Sequence, residues 1–253
     1  MTEASPALFA YVLRLGDDRL VLGHRLSEWC GHGPILEEDI ALANVSLDLI
    51  GQATLLLRLA AETEGRGRDE DALAYFRDAT DYRNALMAEL PKGDFGFTIV
   101  RQLLFSVFSL LQMEALLQSS NSDLAGIAGK AAKECRYHVR HSAQWVVILG
   151  DGTSDSHARA QAAVDDLWRY TGELFVSDTV EQAAAAEGFG VDASTLLAPW
   201  RAQIDDVLRR ATLTLPAAPY MQRGGRDGRH TEHLGHMLAE MQIVARSHPG
   251  ASW

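Results

Sequence analysis

From Pro34 to about Thr63 the chain carries a seam at Leu36, Ile40, Ala43, Leu47, Ile50, Thr54, Leu57 and Ala61, in alternating steps of four and three. That spacing marks one face of a long α-helix, of the kind that packs along its neighbours in a bundle. Leu42, Leu49, Leu56 and Leu59 widen the face, so this helix is expected to lie centrally. Pro34 suits a first helical turn, and Glu37, Glu38 and Asp39 set negative charge on the positive end of the helix dipole.

Further helices are predicted at about Asp71 to Glu89, Phe95 to Gln118, Ser122 to Leu149, Ser154 to Phe175, Asp178 to Glu187, Ala193 to Ala211, and Arg229 to Arg246. Residues 91–93, 119–122 and 150–153 supply breakers and side-chain caps between them, and Pro249 and Gly250 close the last. Residues 64–68 and 222–226, each rich in Gly and Arg, are the most flexible-looking loops. Leu213 to Pro216 suits an extended segment, but one short segment makes no sheet. The fold class is therefore all-α, a helical bundle with additional C-terminal helices. At 253 residues it is expected to form one domain over 1–253.

Composition excludes several functions. A formal net charge of -11 repels phosphate backbones and anionic membranes, so neither nucleic acid nor a membrane is an expected partner. Cys30 and Cys135 stand too far apart in sequence for a cysteine zinc site or a disulfide framework, which fits a reducing cytoplasm. No apolar stretch is read as long enough to cross a bilayer, and the N-terminus shows no targeting pattern.

Long amphipathic helices of this kind suggest a ferritin-type bundle, in which a di-iron centre takes Glu-x-x-His pairs from two helices. None of the nine histidines here has a Glu three residues before it. Asn44, Asp48 and Gln52, four apart, form one polar stripe that reads either as a site or as a buried network. His138 and His141 share a face, and Glu134 lies one turn from His138; a metal site and surface ion pairing both fit that spacing. His230, His233 and His236 follow in steps of three, which drift too widely around a helix to converge easily on one ion. Glu28 and His32 are a fourth candidate pair, more in keeping with local structure.

Residues 15–18 (Leu-Gly-Asp-Asp), 26–32 (Leu-Ser-Glu-Trp-Cys-Gly-His), 42–52 (Leu-Ala-Asn-Val-Ser-Leu-Asp-Leu-Ile-Gly-Gln), 150–153, 228–235 and 249–253 together resemble the C subunits of bacterial phenylacetyl-CoA epoxidases. The resemblance spans nearly the whole chain. It implies a ferritin-like fold and a place in a multicomponent monooxygenase, where a di-iron catalytic A subunit pairs with the C subunit and a flavin and iron-sulfur reductase supplies electrons. The complex adds one oxygen atom of O₂ across the ring of phenylacetyl-CoA.

On that resemblance, the positions matching the catalytic subunit's ligands hold Leu49 for a Glu, Gln52 for a His, Cys135 for a Glu and Ser106 for a carboxylate, while His138 and Glu28 remain. Leu cannot coordinate iron and Gln is a poor neutral substitute, so no catalytic, cofactor-binding or metal-binding residue is assigned to this chain. A polar network of Asp48, Gln52, Glu134 and His138 is expected to fill the former metal space. The expected role is a non-catalytic structural subunit that stabilises the catalytic one. The alternative is a metalloenzyme with its own His-based site. A stand-alone acyl-CoA module lacks any supporting Gly-rich loop or basic cluster.

Overall fold

In the computed structural model, which describes residues 5–217 and 220–251, the elements are α-helices and short 3₁₀ turns, with no strand among those residues. In chain order the helices are α1 (Pro6–Ser27), α2 (Leu36–Glu64), α3 (Glu70–Tyr75), α4 (Leu86–Glu89), α5 (Phe95–Leu116), α6 (Ser122–Gly150), α7 (Ser154–Trp168), α8 (Thr179–Ala186), α9 (Leu197–Arg210) and α10 (Glu232–Ser247). The four long ones, α1, α2, α5 and α6, make a ferritin-like bundle. Pairs α1/α2 and α5/α6 are the most intimate; α7 and α9 pack on the second pair, and α10 on α3.

Local chemistry sets these limits. Asp94 Oδ1 accepts from Phe97 N at 2.8 Å to start α5, Asn121 Oδ1 from Leu124 N at 2.9 Å to start α6, and Thr153 Oγ1 from Ser156 N at 3.1 Å to start α7. Gly65, at φ 68°, ends α2 in the left-handed region that glycine tolerates best. Two glycines of α1 let it lie close against α2: a Cβ at Gly16 would stand 2.7 Å from Leu57 Cδ2, and one at Gly23 2.9 Å from Ile50 Cγ1.

Three expectations change. The predicted helix from Asp71 to Glu89 is broken into α3, a 3₁₀ turn at Ala79–Asp81 and α4. Its amides turn aside to carboxylates of α1: Arg83 N donates to Asp17 Oδ2 at 2.8 Å and Ala85 N to Asp18 Oδ1 at 2.7 Å. Ser154 to Phe175 likewise ends as helix at Trp168 and continues as a 3₁₀ turn.

The second change concerns α2. Its buried side includes Leu42, Val45, Leu49, Gln52, Ala53 and Leu56, whereas Leu36, Ile40 and Leu47 of the expected seam are 72%, 53% and 66% exposed. The seam reaches the core only at its far end, at Leu57 and Ala61. Third, α2 and α5 do have the length and apolar composition to cross a membrane. For α5 that character serves the core, since 78% of its most apolar window is buried; for α2 the share is 50%.

Candidate functional site

The run Leu15 to Leu22 on α1 interrupts its apolar residues with Asp17, Asp18 and Arg19, and all three charged residues are completely buried. Charges are taken out of water at high cost unless each finds partners, so their contacts define what this region does.

Arg19 points into the middle of the bundle. Its Nε donates to Gln52 Oε1 of α2 at 3.0 Å, one Nη to Leu15 O at 2.9 Å, and the other Nη to Ser109 Oγ of α5 at 3.0 Å. Gln52 Nε2 then donates to Glu134 Oε2 of α6 at 2.8 Å, and Ser109 Oγ lies 3.4 Å from Cys135 Sγ of the same helix. One guanidinium thus ties all four long helices. Burial pulls the Arg19 pKa below the usual guanidinium value, against the opposing pull of Cys135 and Asp18, yet an arginine stays charged inside a protein.

Beside it runs a polar seam between α2 and α6. His138 Nε2 stands 3.0 Å from Asp48 Oδ2, and His141 Nε2 stands 2.8 Å from Glu38 Oε2. Burial works against a charged His138, but the hydrogen bonds to Asp48 and Cys135 outweigh it and push its pKa up to about 9. The imidazole is therefore a cation at neutral pH, hydrogen-bonded to a carboxylate that is itself partly open to water.

The expected network is present in outline. Gln52 and His138 are buried, Asp48 and Glu134 sit at its partly exposed edge, and Asn44 is exposed and outside it. Arg19 is its centre, and sequence reasoning missed it. The signal was there in three consecutive charged residues inside an apolar helical run, the kind of insertion that burial makes expensive.

The positions matched to iron ligands do not assemble as a donor set. Leu49, Ser106 and Cys135 are buried, and Ser106 Oγ accepts from Gln102 Nε2 at 2.8 Å. Glu28 lies past the end of α1, where it accepts from Arg25 Nη1 at 2.6 Å, with His32 pointing to Cys30 O instead. Among the described residues no three His, Cys, Asp or Glu side chains converge as a metal ion needs. With one carboxylate per histidine, a leucine among the positions and a guanidinium already bonded to Gln52, these residues do not fit two ferrous ions and their bridging carboxylates.

His138 and His141 face separate carboxylates rather than one point. The C-terminal histidines also diverge. His230 precedes α10, with Nδ1 2.7 Å from Glu89 Oε2 and Nε2 3.0 Å from Tyr82 O, so both ring nitrogens are engaged. His233 lends its carbonyl to Arg25 Nη2 at 2.8 Å, and His236 is exposed.

A second buried polar centre joins the ends of the fold. Arg226 reaches both oxygens of Asp18 at 3.0 and 2.8 Å, while Glu173 Oε1 accepts from Gly224 N and Gly225 N at 2.8 and 2.9 Å. Residues 222–226, expected to be among the most flexible loops, are thereby pinned to α1. Arg77 forms a two-pronged pair with Asp17.

The family model described as phenylacetic acid catabolic protein matches residues 1–253 of this chain. The C subunit of 1,2-phenylacetyl-CoA epoxidase from Escherichia coli (strain K12) is 48% identical to it over 246 residues, which are 97% of this chain and 99% of that protein.

Proposed function

The chain belongs to the phenylacetic acid catabolic protein family, and from that membership we propose that it is the non-catalytic structural subunit of a phenylacetyl-CoA 1,2-epoxidase in aerobic phenylacetate breakdown. In this reading it pairs with a di-iron catalytic subunit in the cytoplasm and stabilises it. The iron belongs to that partner, the flavin and iron-sulfur groups belong to a reductase, and this chain holds no cofactor.

The observation that carries the reading is Arg19. A permanent cation hydrogen-bonded to Gln52 and Ser109 sits among the side chains where a ferritin-like oxygenase needs anionic ligands. Activation of O₂ at a di-iron centre needs open coordination positions and bridging carboxylates, whereas this core sets amide, hydroxyl, thiol and guanidinium groups around Arg19 and ties its His138, Asp48 and Glu134 into hydrogen bonds with one another and with Gln52.

Two measurements test it. The first is iron, zinc and manganese content of the purified chain: substoichiometric metal is expected, while stoichiometric metal would favour a His-based metalloenzyme. The second is co-expression with the catalytic subunit, which is expected to raise that subunit's soluble yield and to restore oxygen-dependent turnover of phenylacetyl-CoA. A catalytic subunit equally soluble and active alone would count against the reading.

A further inference from the structure

We propose that α8 and the turn after it, residues 178–191, form a strap that proton uptake by Glu181 fastens onto α1 and proton loss loosens.

The strap is a short span held chiefly at its two ends. At the first, Arg14 of α1 meets the two oxygens of Asp178 at 2.9 and 2.8 Å. Asp178 Oδ1 also accepts from Val180 N and Glu181 N at 3.0 and 3.1 Å, which starts α8. At the other end, Ser120 N donates to Gly188 O at 2.9 Å, Ser119 Oγ to Phe189 O at 2.7 Å and Val191 N to the Tyr11 hydroxyl at 3.1 Å. Between the ends, α8 buries only Glu181 and Ala184, one turn apart. A single methyl group holds a helix weakly, so the state of the other buried side chain decides how firmly the middle is fixed.

Glu181 is badly placed to be an anion. It is 5% exposed, and its Oε2 is buried with no hydrogen-bond partner among the described residues. Its Oε1 lies 3.9 Å from Arg14 Nη1, beyond hydrogen-bond reach. The charged groups facing it already match one another. Arg14 is taken by Asp178, and Arg226, from the loop before α10, reaches the oxygens of Asp18 on α1 at 3.0 and 2.8 Å. Tyr11 of α1 stays neutral, because burial pushes its phenol above the ordinary value. An ionised Glu181 would therefore be a surplus carboxylate with no cation of its own. Burial outweighs the attraction of Arg226 and Arg14 and, with the repulsion of Asp178 and Asp18, raises the Glu181 pKa from 4.5 to about 7.

In a loosened strap Glu181 meets water and returns to its ordinary 4.5, so the closed form holds the extra proton between the two values. Fastening is thus complete below about pH 4.5, fades as pH rises, and is lost above about 7. The Arg14 anchor persists through that window: burial opposes ionisation of Asp178, but hydrogen bonds from Arg14 and from the backbone of Glu181 and Val180 hold its pKa below the ordinary 3.8. Loosening has a local consequence, since Val180 walls a cavity of about 430 Å³ that Arg14, Arg77 and Arg83 also line.

Amide exchange of residues 178–191 in the full chain, followed by mass spectrometry and corrected for the intrinsic pH dependence of exchange, tests the strap. Between about pH 5.5 and 7.5 its protection is expected to fall about twenty-fold in wild type. In Glu181→Gln, whose side chain cannot ionise, the fall should stay within about three-fold. A flat wild-type profile, an equal fall in Glu181→Gln, or a fall shared equally by core peptides of α5 would overturn the proposal. Carboxyl ¹³C titration of wild type needs no variant and is expected to show Glu181 ionising near pH 7; a midpoint near 4.5 would overturn the strap even if Glu181→Gln failed to fold.

Discussion

Arg19 hydrogen-bonds no carboxylate among the described residues; the nearest in the chain of bonds, Glu134, is reached through Gln52. Its removal therefore strands neutral acceptors and opens a cavity. Arg19→Ala is expected to cost about 3 kcal/mol or more in urea denaturation. Arg19→Lys should recover part of that loss, since lysine keeps the charge but not the planar fork that reaches Gln52, Leu15 and Ser109 together. His138 gives a pH signature. Its folded pKa, about 9, lies above the 6.5 of a free imidazole, so its pairing with Asp48 stabilises fully below about pH 6.5 and is lost as pH rises through 9. The melting temperature of wild type should fall over that window. Asp48→Asn should flatten the fall and cost about 1–3 kcal/mol at pH 6; an unchanged slope in the variant would show that another group titrates there.

At the scale of elements, α1 acts as a polar spine as well as a core helix. Asp18 receives Ala85 N and Arg226, so it holds both the broken segment after α3 and the loop before α10. Asp18→Asn is expected to loosen both, read as faster tryptic cleavage at Arg223 or Arg226 and a loss of about 3–5 kcal/mol from the broken buried pair. These tertiary bonds explain what the sequence concealed. Helix periodicity showed that α2 exists and where it starts, yet pointed the wrong stripe inward, because Leu36, Ile40 and Leu47 are more apolar than the Glu38, Ser46 and Gln52 that are buried. A helix apolar nearly all round leaves its facing to polar partners elsewhere, here His141 on α6 and Arg19 on α1. The breaks at 91–93, 119–122 and 150–153 were legible since Asp94, Asn121 and Thr153 act within three residues of themselves. The pinning of 222–226 was not, because its partners Asp18 and Glu173 are remote in sequence. Residue-by-residue matching located Gln52, Cys135 and His138 in the core, misplaced Glu28, and gave no hint that an arginine stood among them. Ser252 and Trp253 of the closing motif lie outside the described residues.

For the whole molecule, the exposed apolar row of Leu36, Ile40 and Leu47 on an acidic protein bears on how the isolated chain behaves in solution. Without a partner it is expected to self-associate weakly as salt rises and screens the repulsion of its -11 net charge, which light scattering across a salt series would register. The cation at its centre has a different consequence, for the order of events in a cell. A metal-centred bundle matures only when the metal supply reaches it, whereas Arg19 leaves the ribosome already attached. On the structural-subunit reading proposed above, this chain completes its core during iron starvation and stands ready before any iron has been loaded into its partner. Its melting temperature should be indifferent to prolonged dialysis against a chelator, and a drop on chelation would show that its maturation is tied to metal after all.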